Sequence, residues 1–256
     1  GVRGDGTVRS TSAAALASIA EAPAVLINSH GKGEAIFLNF SPTTYNVLLN
    51  RDSAGPLRRL FRGLFARGGV QRRFRVVDAE GDDVYGAEIA VFRAGPVRYL
   101  TLEKRSYQFE EYPIDASIEL DEEYDVYDAR EGKALGQTDR IPVSLRGLGC
   151  YVYALLPYRV EGFRVDCPKT VRRGGEAVVS MRLETAGGAP GPHTTRVDVF
   201  RPDGQRLWPT YKQELEEGRA QVVLPIAFNE EPGTWTVKVT DVTTGMSVTR
   251  KLNIRE

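Results

Sequence analysis

The chain has 256 residues and 34 Lys+Arg against 34 Asp+Glu, so its formal net charge is zero. That balance supplies no general field to draw it onto nucleic acid or into an anionic membrane surface, and no apolar run approaches the roughly 20 residues of a membrane helix. Hydrophobic content of 41% and charged content of 27% are those of an ordinary globular protein, long enough for two or three domains. Residues 1–10 lack the build of a signal peptide and do not begin with Met; the simplest expectation is a processed chain or a fragment of a longer one.

In chain order, residues 1–10 read as loose. The Ala-rich stretch 11–22, with Ala13, Ala14, Ala15, Leu16 and Ala17, reads as a short helix. Apolar runs at 24–27 and 34–40 flank Asn28-Ser-His-Gly-Lys-Gly33, the signature of a β-hairpin. A single amphipathic helix is expected over 56–67. Leu57, Leu60, Phe61, Leu64 and Phe65 share one face, Pro56 suits the first helical position, and Gly68-Gly69 suits the stop. From Phe74 the period changes to two. Strands are expected at 74–78, 87–92, 97–102, 116–120, 124–127 and 150–156, separated by turns at 80–83, 94–96 and 131–133. After a boundary near 156–160, more strands are expected at 163–166, 177–183, 195–200, 220–224, 234–240 and 247–254. The fold class is therefore mainly β: two antiparallel β-sandwich domains (73–158 and an immunoglobulin- or fibronectin-like 159–256) preceded by a partial α/β segment (1–72), a hairpin plus one amphipathic helix.

The chemistry-bearing residues are sparse. His30 sits in the hairpin turn and His193 in a Gly/Pro-rich loop, and neither neighbours a nucleophile-elbow pattern. Gly31-Lys-Gly33 lacks P-loop spacing, and there is no CxxC or HExxH, so neither a phosphate-binding loop nor a zinc site nor any cofactor is implied. Cys150 and Cys167 read as two small buried hydrophobes or as one disulfide, the latter implying an oxidising compartment. Two charged clusters stand out. The helix carries Arg58, Arg59 and Arg62 among eight arginines between 51 and 75. Without an aromatic platform, this set reads as a solvated or ion-pairing face, not a nucleic-acid surface. The acidic run from Glu110 to Asp125 includes Asp121, Glu122, Glu123 and Asp125. Asp121, Glu123 and Asp125 are weak Ca²⁺-ligand candidates without the glycine and twelfth-position glutamate of a calcium loop. A solvated strand end, or pairing of Glu122 and Glu123 with the basic helix face, is the competing reading. Trp235 is expected in the core, whereas Trp208 and Tyr211, in a loop-like stretch, are candidates for stacking on sugar.

The hairpin 24–40, with its Asn28-Ser-His-Gly-Lys-Gly33 turn, resembles the late hairpin of the amidotransferase-like domain in bacterial β-galactosidase-type glycoside hydrolases. Residues 126–136, with Tyr153-Ala-Leu-Leu-Pro157, resemble the small β-domain that closes such proteins, and Asn229-Glu-Glu-Pro-Gly-Thr-Trp235 is similar to turns of appended sandwich domains on secreted or surface proteins. The resemblance implies a trimerisation segment without catalytic residues and a location outside the cell or on its surface. The catalytic barrel of that family is absent, so no catalytic position carries over. The expectation is a non-catalytic assembly and spacing region that associates with itself or with other domains of a longer parent. Carbohydrate binding at Trp208 and Tyr211 is the first alternative, and glycoside hydrolysis by the acidic run the second.

Overall fold

The computed structural model describes residues 3–44, 54–105, 112–207 and 210–256. They form two units, Gly1–Gln71 and Arg72–Glu256, and the chain is mainly β.

In the first unit three strands form an antiparallel meander: β1 (Ala14–Ile19), β2 (Ala22–His30) and β3 (Gly33–Leu38), in the order β1-β2-β3. The hairpin expected from the two apolar runs is present, closed by Gly31-Lys32 with Gly31 at φ 57°. The Ala-rich stretch is a strand, not a helix. Ala14 and Ala15 lie opposite Ile27 and Leu26, and pairing with the apolar centre strand overrides alanine's helical preference. Of the segment before it, expected to be loose, Asp5 is tied to the sheet. The buried Asn39 amide donates to the carbonyls of Pro23 and Asp5, both at 2.9 Å, and its Oδ1 accepts from the Asp5 amide. Helix α1 (Gly55–Arg67) begins with Pro56 in its first turn, and the Gly68 amide bonds the Leu64 carbonyl at its end. Its periodic apolar face is only half covered: α1 contains no buried residue.

The second unit opens with β4 (Arg75–Val77), β5 (Ala87–Ala94), β6 (Val97–Lys104), β7 (Ile114–Asp128), β8 (Lys133–Leu145) and β9 (Cys150–Leu156), in one sheet ordered β4-β7-β9-β6-β5 with β8 on β7. The two short strands expected at 116–120 and 124–127 are one long strand with a break in register. Residues 120–123 bulge out between the pairs Glu119–Arg140 and Tyr124–Thr138. The bulge lets β7 change neighbours, from β4 before it to β9 after it, so the sheet folds over its own core of Leu100, Leu102, Ile118, Val126, Ile141 and Leu155. Strand β8 has no counterpart among the sequence expectations. Its first eight residues are mostly polar, its last five turn Ile141, Val143 and Leu145 inward, and it contains Pro142, which a strand pairing on one side only tolerates.

The remaining strands make a two-layer sandwich. One layer is β10 (Arg159–Asp166), β12 (Glu176–Ala186) and β15 (Arg219–Pro225). The other is β11 (Thr170–Arg172), β17 (Ser247–Arg255), β16 (Gly233–Asp241), β13 (His193–Phe200) and β14 (Tyr211–Leu215), in that order. Alternation along β12 and β16 puts Val179, Met181 and Leu183 against Trp235, Val237 and Val239. Trp235 is fully buried, as expected, and its Nε1 donates to the Glu231 carbonyl at 3.0 Å.

Candidate functional site

The most organised polar cluster lies where the two sheet systems of the second unit meet. Tyr158, between β9 and β10, is 2% exposed; His193, the first residue of β13, is 1% exposed; Asp241, the last of β16, is fully buried. His193 is thus a strand residue, not part of the loop expected from the surrounding Gly and Pro. Its Nδ1 lies 3.1 Å from both Asp241 carboxylate oxygens, and its Nε2 lies 2.9 Å from the Tyr158 hydroxyl. The Tyr158 oxygen also accepts the Gly191 amide at 2.8 Å, and Asp241 Oδ2 accepts the Thr244 hydroxyl at 2.5 Å. One arrangement of protons satisfies all of these: Nδ1–H donates to Asp241, and Nε2 accepts from Tyr158. Burial pushes the Tyr158 phenol up to about 12, so at neutral pH it stays protonated and donates into the imidazole.

Backbone contacts flank this chain on both sides. The β7–β8 and β16–β17 turns touch through Gly132 and Gly245, both at positive φ. A Cβ on Gly245 would sit 2.3 Å from the Gly132 Cα. The β5–β6 turn meets the loop before β13, where a Cβ on Gly191 would sit 2.8 Å from Val97 Cγ2. Tyr99 reaches Thr243 at 3.0 Å, and Val97, Tyr127, Ala154 and Leu156 belong to the same apolar cluster as the sandwich. The arrangement can hold two sheet systems together and keep the Tyr158 and His193 rings and the Asp241 carboxylate dry. The polar cleft beside it, about 460 Å³, is lined by Asp125, Gln137, Tyr158 and Arg159 among others.

The acidic candidates separate. Asp121, Glu122 and Glu123 sit on the β7 bulge. The Arg98 guanidinium lies over the Tyr124 ring and pairs with Asp121 at 3.0 Å and Glu122 at 3.4 Å, while the Tyr124 hydroxyl lies 2.8 Å from Asp121 and 2.6 Å from Glu122. Burial, helped by both carboxylates, pushes the Tyr124 phenol far up. Glu123 accepts from Gln137, and Asp125 faces the cleft. Among the described residues no three His, Cys, Asp or Glu are grouped as a metal site. The partner seen for Asp121 and Glu122 is therefore Arg98, on β6, a residue the acidic run itself did not signal. On α1, Arg59 and Arg62 are exposed and Arg58 is half-buried. Arg67 of the same helix pairs with β3: its Nε lies 2.5 Å from Glu34 and holds that carboxyl below its usual range. Tyr211 opens β14 and packs, half-buried, on the sandwich core instead of standing in a loop. Trp208, Glu110 and Glu111 lie outside the described residues. Both cysteines are free: Cys150 is exposed, against the expectation of burial, and Cys167 is half-buried with its thiol pushed up by desolvation. No described helix is long and apolar enough to cross a membrane.

No family model matches the sequence, and no curated protein matches it. Among solved structures, α-2-macroglobulin from E. coli is similar over 68% of this chain and 12% of its own, at 14% identity and TM-score 0.33. A Bacteroides uniformis β-glucuronidase is similar over 72% of this chain and 32% of its own, at 12% identity and TM-score 0.24. A chimeric titin Z1Z2 tandem is similar over 66% of this chain and all of its own, at 12% identity and TM-score 0.23. The chain thus spans a third or less of the macroglobulin and the glucuronidase. Likenesses this loose carry no functional argument.

Proposed function

We propose that the chain is a non-catalytic assembly and spacing region of a larger carbohydrate-active or cell-surface protein. The observation that carries the reading is the buried Tyr158–His193–Asp241 chain with its turn-on-turn glycine contact. A junction in which the polar groups of Tyr158, His193 and Asp241 are partnered and a Cβ on either turn glycine would clash with the other turn keeps two modules at one angle. Flexible linkers do the opposite. The protonated, buried phenol at the head of the chain is a poor nucleophile, which favours a structural reading of a triad-like geometry.

The assembly half of the proposal rests on the first unit. Phe37 of β3 and Phe65 of α1 are 53% and 61% exposed, alongside exposed Leu16 and Val70, and among the described residues β1 and β3 are the edges of their sheet. A second copy of the same unit would cover these surfaces in a symmetric contact.

Two measurements on the full chain test the halves separately. Spin labels at native Cys150 and at V223C, in a C167S background, should give one narrow distance distribution; a broad one overturns the fixed junction. Sedimentation equilibrium should show a dimer or higher oligomer. A strict monomer at high concentration, or association that survives polar substitution of Phe37 and Phe65, removes the assembly half.

A further inference from the structure

The outward face of the three-stranded layer carries a row of like charges. Arg164 of β10 lies directly opposite Arg182 of β12, which lies directly opposite Arg219 of β15. All three are exposed, and neighbouring strands are about 4.8 Å apart. Like charges directly opposite one another disfavour a sheet unless something answers them. Only Arg164 is answered, by Glu184 at 2.9 Å; among the described residues Arg182 and Arg219 have no ion pair. The next row is Asp166, Ser180 and Gln221, with the Gln221 amide on the Ser180 hydroxyl at 3.2 Å. Arg182 and Arg219 of the first row and all three residues of the second line a shallow groove of about 530 Å³. One row further, Val178 faces Val223, 44% and 47% exposed.

The geometry points to this face as a binding surface for an acidic glycan, a chain of sugars bearing carboxylate or sulfate groups. Arg182 and Arg219 present planar forks to the anionic group. Asp166 would repel an anion that offers no donors but accepts from sugar hydroxyls, and Ser180 and Gln221 serve hydroxyls in either sense. The Val178–Val223 pair supplies an apolar step for the C–H face of a ring. None of the residues in these rows is aromatic, so single-stranded nucleic acid lacks its stacking platform. This inference uses a different surface from the junction and stands or falls independently of the spacer reading.

The test is affinity electrophoresis of the full chain through gels containing polygalacturonate, chondroitin sulfate, dextran or single-stranded DNA. Retardation by at least one acidic glycan and not by dextran is expected. The R182Q/R219Q pair should weaken it by tenfold or more, and R164Q by threefold or less, because Arg164 is already paired. D166N should weaken the glycan while leaving or improving retention of DNA. All these side chains are exposed, so an unchanged thermal midpoint will confirm that each variant folds. No retardation by either acidic glycan, equal retardation of the double variant, or tighter binding of DNA than of glycan would overturn the assignment.

Discussion

The first unit and the second use the same vocabulary of short strands and apolar stripes, yet they bury it very differently. In the second unit Leu100, Leu102, Leu155, Trp235 and Leu252 are wholly inside. In the first, burial is concentrated on one strand, where Ala24, Val25, Leu26 and Ile27 are covered on both faces while β1, β3 and α1 stay open. Periodicity creates a face; whether that face becomes a core depends on a second layer large enough to meet it. The lesson is that α1, the clearest helical signal in the sequence, marks an element without a single buried residue.

The comparison can be broken most directly at the centre of the sandwich. Trp235→Ala should cost about 3–5 kcal/mol and lower the main calorimetric transition, with the hairpin's own amide protection unchanged. Asp241→Ala strands His193 inside the junction and should cost about 3 kcal/mol. Tyr158→Phe, which keeps the ring, should cost about 1–3 kcal/mol by leaving Nε2 and the Gly191 amide unmatched. If either leaves the spin-label distance and the midpoint untouched, the junction does not join the sandwiches. Gly245→Ala meets Gly132 at φ 77° and should cost more than about 1 kcal/mol, whereas the same change at Gly187, also at positive φ but with open space around it, carries only the backbone part. In the first unit, Phe65→Ser should change chain stability by no more than about 0.5 kcal/mol while weakening self-association in sedimentation.

Alkali sharpens the same contrast. Tyr158 titrates near 12 when folded, against 10.0 for a free phenol, and Tyr99 and Tyr127 are also raised, each chiefly by burial. A raised folded value means that this contribution to stability is whole below about pH 10 and is lost as pH climbs from there through the folded value. Phenolate absorbance should therefore appear in two phases, exposed phenols first and the junction phenols later or together with unfolding. A single early phase would contradict the burial.

Much of the β architecture was legible because alternation has a simple cause: a strand with one face inward repeats every two residues. That signal located β5, β6, β9, β12, β13, β16 and β17. It failed at β14, which pairs on one side only and is mostly polar, and at β8, also paired on one side only, whose apolar alternation is confined to Ile141, Val143 and Leu145 at its end. It also failed at β1, where alanine's preference gave way to an apolar neighbour strand. The candidate site was far less legible. His193 looked like a loop residue because Gly191 and Pro192 precede it. Gly191 leaves room where Val97 and Pro96 approach from another part of the chain, and Pro192 packs beside Gly95 of the same turn.

Sequence alone settled the class of structure, the hairpin, the helix and the core tryptophan, because each depends on neighbours a few residues away. Which acid faces Arg98, why Asp241 meets His193 48 residues earlier, and how three arginines come into one row are consequences of strand register. Register couples distant segments, and only the folded chain decides it.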